Sequence, residues 1–191
     1  MDRTLKKYPT TADIEEMQAR GFDASVIDEQ LQLARRGQVL AAIAVAAIEA
    51  FAGVTLGSGI GLLEANGLDG YANETALAAY RDRDERHDWA AISLESLNRY
   101  GNSLSFYDAE GMRFHLPAYL LADMQGQYAF DIVYNLTQSA LLEEQCALLT
   151  EDQRKVVRAY LQFAEYEADH ELNRGHIQRA LQNYWAPKRS K

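Results

Sequence analysis

The chain has 191 residues, 48% of them apolar and 25% charged, which is typical of a globular domain and not of a disordered chain. Its 28 acidic residues against 19 Lys and Arg give a formal net charge of −9. Nucleic acids and anionic membrane surfaces are disfavoured as partners, because both attract basic proteins. We expect a cytoplasmic protein whose partner is another protein, with no nucleic acid and no membrane.

Two charged helices are predicted near the N-terminus: a short one at residues 12–20, and a second that is capped by Asp23 or Ser25 and ends at Arg36. Their apolar positions are sparse, which indicates an arm that packs on a core. Gly37 then predicts a break in the helical pattern. These features divide the chain into an N-terminal helical arm at 1–36, a single helical domain with a β-hairpin at 37–187 and a disordered tail at 188–191.

The segment from Gln38 to Phe51 is rich in alanine and apolar on nearly every face. A helix that is apolar all round is buried, so we predict that this segment is the central helix of the core. Its uninterrupted apolar run, Val39 to Ile48, is shorter than the ~20 residues that a membrane span needs.

A glycine-rich segment follows, with glycine at positions 57, 59 and 61. Leu62 stands where the Gly-x-Gly-x-x-Gly pattern of a dinucleotide-binding loop, begun by Gly57 and Gly59, has its last glycine. The segment also follows a helix rather than a strand, so we favour a turn that leads into a helix. Further helices are predicted at 61–66, closed by Gly67, at 74–84 and at 89–100.

One β element is predicted. Residues 104–106 and 114–116 each alternate apolar and polar side chains, as half-buried strands do. Gly111, between them, can take the positive φ that closes a hairpin loop with a bulge. We therefore predict a β-hairpin at about residues 103–116, followed by a helix that begins at Pro117.

The remainder is predicted to be mostly helical. Residues 128–136 fit a strand or a helix, whereas 139–149 fit a helix. Thr150 and Gln153 form a capping box that opens the longest helix, and Gly175 should break or end it before a last short helix. The predicted fold class is mainly α (α+β minor), a compact helical domain with one small β-hairpin.

Two sets of residues have metal-ligand spacing: Asp84, His87 and Asp88 form one, and Glu167 and His170 the other. Side chains three or four positions apart share a face of a helix. Helix-bundle metal sites use such pairs on facing helices, and a bound divalent ion activates water. The alternative for the first set, which we favour, is a solvated face of ion pairs, because three arginines alternate with its acids.

No nucleophile motif or catalytic triad is recognisable, so no catalytic residue is predicted. The single cysteine, Cys146, lies in an apolar run without a neighbour that would activate its thiol. Arg113 either pairs with an acid of the hairpin turn, which we favour, or anchors a carboxylate or phosphate. The candidate partner-binding residues are Asp84, Glu85, Asp88, Trp89, Asp108, Arg113 and His115.

The segment Asp108-Ala-Glu-Gly-Met-Arg-Phe-His-Leu-Pro-Ala-Tyr119, together with the acidic stretch at 81–89, resembles a family of uncharacterised small bacterial proteins. That family is catalogued as a domain of unknown function. The resemblance runs from about Gln38 to Phe163. It implies one compact domain in a bacterial cytoplasm, and it implies no activity or site residue.

The leading functional hypothesis is an acidic protein-binding module without a cofactor, such as an inhibitor or immunity protein for a basic bacterial toxin or effector. It is supported by the net charge, the 11 tyrosines and the lack of a catalytic motif. One alternative is a divalent-metal-dependent helical enzyme that uses the two carboxylate–imidazole sets. Another is a regulatory or structural protein that docks through its N-terminal arm.

Overall fold

The computed structural model describes residues 8–187, and this part of the chain consists of ten α-helices and three 3₁₀-helices, without a β-strand. The α-helices are α1 (Thr11–Ala19), α2 (Ala24–Ala50), α3 (Leu62–Asp69), α4 (Glu74–Arg81), α5 (Leu94–Arg99), α6 (Ala109–Met124), α7 (Ile132–Gln138), α8 (Leu142–Gln145), α9 (Glu151–Ala164) and α10 (Arg174–Asn183). The 3₁₀-helices are Trp89–Ala91, Gly101–Phe106 and Ala168–Asn173. The mainly helical fold class is confirmed, and the predicted tail at 188–191 lies outside the described residues.

The β-hairpin predicted at residues 103–116 is wrong. Gly101–Phe106 is a 3₁₀-helix, and α6 begins shortly afterwards, with the Asp108 carboxylate accepting a hydrogen bond from the Gly111 N–H at 2.7 Å. The alternation of apolar and polar residues gave a wrong prediction of strands because 11 of the 16 residues of α6 are buried. A helix that is buried on most sides contains apolar residues two positions apart, as a strand does, so alternation does not separate the two.

Pro117 lies inside α6 rather than at the start of a helix. It has no N–H to donate to the Arg113 carbonyl one turn earlier, which weakens the helix locally. The fully buried side chains of Leu116 and Tyr119 on either side of the proline anchor this part of α6 in the core.

α2 continues through Gly37, so the predicted helix break there is wrong. A Cβ at position 37 would stand 2.6 Å from the Cβ of Tyr8, so the glycine allows the chain before α1 to lie against α2. This close approach, and not a turn, explains the glycine. The predicted arm at 1–36 and the domain that follows it therefore share one helix, and α1 packs against α2.

α6 occupies the centre of the core, and the prediction that α2 does so is wrong. The second half of α2 buries Leu40, Ile43 and Ala47, and the helix packs against α6 and α9. Its Val39 and Val45 are each 54% exposed, because one apolar face has no covering element in residues 8–187. Among the described helices only α2 is long and apolar enough to cross a membrane, a test that a core helix of a soluble protein also passes.

Two glycines lie within helices instead of ending them. Gly67 lies in α3, where a Cβ would come within 2.7 Å of the Tyr80 ring, so the glycine allows α3 and α4 to pack closely. Gly175 lies in the first turn of α10.

The helix predicted at 89–100 is divided into the 3₁₀-helix Trp89–Ala91 and α5.

The capping box of Thr150 and Gln153 is confirmed at the start of α9. The ambiguous segment 128–136 leads into a helix, since the Asp131 side chain caps α7. Of the helix predicted at 139–149, only the four residues of α8 are α-helical in the structure. With α9 packed along α2 and α10 packed on α7 and α9, the C-terminal ends of α6 and α9 meet close to Tyr8.

Candidate functional site

A cleft of about 350 Å³ lies where the C-terminal ends of α6 and α9 meet Leu40 of α2 and Tyr8, which precedes α1. Carboxylates and aromatic rings dominate its lining, and we call it the acidic cleft. The carboxylates belong to Asp123, Asp131, Glu167 and Asp169, and the aromatic rings to Tyr8, Tyr128, Phe130, Tyr160 and Phe163. The imidazole of His170 also lines it.

Tyr160 and Asp123 connect α9 to α6 inside the acidic cleft. The Tyr160 hydroxyl donates a hydrogen bond of 2.5 Å to Oδ2 of Asp123. Burial, followed by the negative charge of Asp123, raises the pKa of Tyr160 well above its usual value. The phenol therefore stays protonated near neutral pH, and its donated bond orients the carboxylate.

Glu167 lies between Tyr8 and Arg36. The Tyr8 hydroxyl donates to Oε2 of Glu167 at 2.7 Å, and Arg36 donates to Oε1 through both Nε and Nη2. Donation to the Glu167 carboxylate also raises the pKa of Arg36. Cζ of Arg36 lies 4.9 Å from the centre of the Phe163 ring. One edge of the cleft thus already combines a guanidinium, a carboxylate and a ring.

Asp131 links the acidic cleft to two neighbouring helices. Its Oδ1 accepts from the Tyr134 N–H at 3.1 Å, which caps α7, and its Oδ2 accepts from the Asn173 amide at 2.9 Å. The Tyr128 and Phe130 rings pack beside it with their centres 5.7 Å apart. Burial raises the pKa of Tyr128 above its usual value.

This arrangement is suited to binding a cation. Carboxylates supply negative charge, and aromatic faces attract a cation through the ring quadrupole. Because the pKa values of Tyr128 and Tyr160 are both raised, neither phenol is a base or nucleophile at neutral pH.

The segment that carries the family resemblance builds a structural junction at the start of α6. Oδ1 of Asp108 accepts from the backbone N–H groups of Gly111, at 2.7 Å, and Ile60, at 3.1 Å. The Ser58 hydroxyl donates to Glu110 at 2.7 Å. The glycine-rich turn is therefore attached to α6, and the predicted partner-binding residue Asp108 caps backbone groups.

Asp84 has a similar capping role at α3. Its carboxylate accepts from the N–H groups of Leu63, at 2.7 Å, and Glu64, at 3.1 Å, although it lies about 20 positions further along the chain. Burial is the main cause of a raised pKa at Asp84. Both oxygens of the predicted ligand thus bond to the first turn of a helix.

The residues after Asp84 stabilise the local turn. The Glu85 carboxylate accepts from the N–H groups of His87 and Asp88, and these bonds lower the pKa of Glu85. The Asp88 side chain accepts from Ala90. Trp89 is buried, and its indole N–H donates to a backbone carbonyl of residue 51 at 2.9 Å. A partner-binding role for these residues stays a prediction.

Arg113 and His115 lie on α6. Arg113 makes no ion pair within residues 8–187, and its buried Nε has no hydrogen-bond partner there, so the predicted pairing with the turn is wrong. His115 is buried, lies 2.7 Å through Nδ1 from the Gly111 carbonyl and stacks on Tyr107. Burial lowers the pKa of His115 to about 4, so this ring is neutral at pH 7.

The structure does not bring the two predicted metal-binding sets together. Asp84 is bonded to α3, with His87 and Asp88 exposed after it, whereas Glu167 and His170 line the acidic cleft. In the part of the chain that the structure describes, no group of three or more His, Cys, Asp or Glu is arranged to hold a metal ion.

A family model matches residues 39–189 of this sequence, most of the chain. It describes a family of unknown function, DUF6714. The chain belongs to this family. The match extends beyond the predicted limit at Phe163 and includes α10, whereas α1 and the first half of α2 precede it. No curated protein and no solved structure matches the chain.

Sequence reasoning singled out Glu167 and His170 and missed the other carboxylates of the acidic cleft. Asp123 follows an apolar run in the sequence, and Tyr160 lies at helical spacing from the apolar residues Val157 and Ala164, so each position had a local signal. Their contact joins positions 37 residues apart, which no local pattern indicates.

Proposed function

We propose that this protein is a non-enzymatic binding module that takes a positively charged side chain, Lys or Arg, of a partner protein into the acidic cleft. The observation that carries the proposal is a single cleft lined by four carboxylates and five aromatic rings. Its volume of about 350 Å³ is at the lower end of the range for ligand pockets, which suits one long side chain.

The contacts of Arg36 support a cationic ligand. This guanidinium pairs with Glu167 and lies over the Phe163 ring, so the chain itself uses the contacts that a partner's arginine would make. Asp123, oriented by Tyr160, and Asp131 contribute further carboxylates to the same cleft.

The net charge of −9 would accelerate encounter with a basic partner. An inhibitor or immunity protein that neutralises a basic toxin or effector is one form of this proposal. Docking through the N-terminal arm is compatible with it, because Tyr8 supplies part of the cleft wall.

Calorimetric titration with a peptide rich in Lys and Arg tests the proposal. Replacing Asp123→Asn and Asp131→Asn together removes two charges and retains an oxygen acceptor at each position. We expect the double substitution to weaken binding about tenfold, or ~1.4 kcal/mol. The matched control is Glu95→Gln with Glu143→Gln, which removes two exposed charges outside the cleft and should change affinity by less than about twofold.

Equal weakening by the two double variants would mean that only overall charge matters, and would contradict the role of the cleft. A titration with spermidine distinguishes a Lys or Arg side chain of a partner protein from a small polyamine as the source of the cation. Tight spermidine binding that the Asp123→Asn and Asp131→Asn pair abolishes, without peptide binding, would identify a small polyamine as the ligand instead of a protein.

A further inference from the structure

The second half of α2 has an apolar face that no other part of residues 8–187 covers. Val39 and Val45 are each 54% exposed, and Ala42 and Ala46 are exposed with them. A groove of about 670 Å³ runs along this face between α2 and α9, and Glu49 also lines it. An exposed apolar surface bordered by charges marks an interaction site.

The charges at the two ends of this face are opposite. Arg35 and Glu49 are both exposed, and each lies seven residues from Ala42, on opposite sides. Positions 35, 39, 42, 46 and 49 have alternating spacings of four and three, which places them on one face of α2. Within residues 8–187, neither Arg35 nor Glu49 forms an ion pair.

We propose that two copies of this chain pair through this face, with their α2 helices antiparallel and a two-fold axis at Ala42. Arg35 of each copy then lies opposite Glu49 of the other, and Val39 lies opposite Val45. The small side chain of Ala42 at the axis allows the two helices to approach closely. The pairing stands independently of the acidic cleft.

Charge selects the antiparallel arrangement. A parallel pair would place Arg35 against Arg35 and Glu49 against Glu49, and both contacts are repulsive. The antiparallel pair replaces them with two symmetric attractive contacts, as a self-complementary two-fold interface requires.

A second copy fits this face better than a lipid bilayer does. Arg35 and Glu49 are separated by about 21 Å along α2, at a rise of 1.5 Å per residue. The hydrocarbon core of a bilayer is roughly 30 Å thick, so a spanning α2 would bury at least one of these charges.

Sedimentation equilibrium of the full chain over a wide concentration range tests the pairing. We expect a dimer whose dissociation constant rises about tenfold or more in Arg35→Glu and in Glu49→Arg, because each change creates two like-charge contacts. Combining the two changes should restore the dissociation constant to within about threefold of the original value. Glu29→Arg, an exposed charge reversal elsewhere on α2, should have no effect.

Circular dichroism shows whether each variant keeps its helical content, so loss of pairing is distinguished from loss of folding. A chain that stays monomeric at every concentration would overturn the proposal. So would a dimer that is insensitive to the single reversals, or one that the combined reversal fails to restore. A monomer that co-sediments with phosphatidylcholine vesicles would assign the face to a membrane and would also overturn it.

Discussion

The hydroxyl of Tyr8 donates a hydrogen bond of 2.7 Å to Oε2 of Glu167, joining positions 159 residues apart. Tyr8 is buried, and its ring meets that of Phe163 edge to face at 6.2 Å. The chain that precedes the family match therefore forms part of a cleft whose carboxylates all lie within the match.

We expect Tyr8→Phe to lower the free energy of unfolding by ~1 kcal/mol, because it removes the bond to Glu167 and keeps the ring in place. Urea denaturation followed by circular dichroism measures this change. Tyr134→Phe is the control, since its side chain is 53% exposed, and it should be neutral. A neutral Tyr8→Phe would mean that the buried bond gives no net stabilisation.

We expect Gly111→Ala to destabilise the protein by about 2 kcal/mol or more, because overpacking is costly. A Cβ at position 111 would lie 2.4 Å from the Ile60 carbonyl oxygen, which belongs to rigid backbone. Gly175→Ala is the matched control in another first turn, where the nearest atom is 3.6 Å away, on the Arg179 side chain. That control should be neutral or stabilising by up to ~1 kcal/mol, because alanine has the higher helix propensity. Similar denaturation midpoints for the two variants would contradict the close contact.

Stability should fall as the pH falls from 6.5 to about 4. Burial lowers the pKa of His115 from 6.5 to about 4, so in this range the unfolded chain binds a proton that the folded chain does not. The full effect of this one group is ~3 kcal/mol. Denaturation at a series of pH values measures it, and NMR titration of the imidazole identifies the group. An imidazole of residue 115 that titrates near 6.5 would contradict its burial.

Local signals in the sequence predicted the helical class and the capping box at Thr150 and Gln153 because both depend on neighbouring residues. The same rules failed for α6, whose burial on most sides hides the helical period. Gly37 and Gly67 show a second cause of error. Each glycine allows a close approach by Tyr8 or Tyr80, and a contact of that kind leaves no local pattern.

The candidate site was predicted only in part for a related reason. Glu167 and His170 are three positions apart and form a visible pair, whereas Asp123 and Tyr160 meet only when α6 and α9 pack. The net charge, which is independent of the fold, favoured a basic partner, and that partner stays a prediction. The position of the carboxylates around one cleft required the tertiary structure.

The placement of Tyr8 has a consequence for comparisons within the family. Tyr8 precedes the family match, and its phenol lines the cleft. If the proposed ligand binds there, homologues that differ before the match should share the fold but differ in ligand selectivity. A shortened homologue would leave Glu167 more hydrated and should hold a cation more weakly. Variation in the first few dozen residues, and not in the shared helices, is then where specificity should diverge.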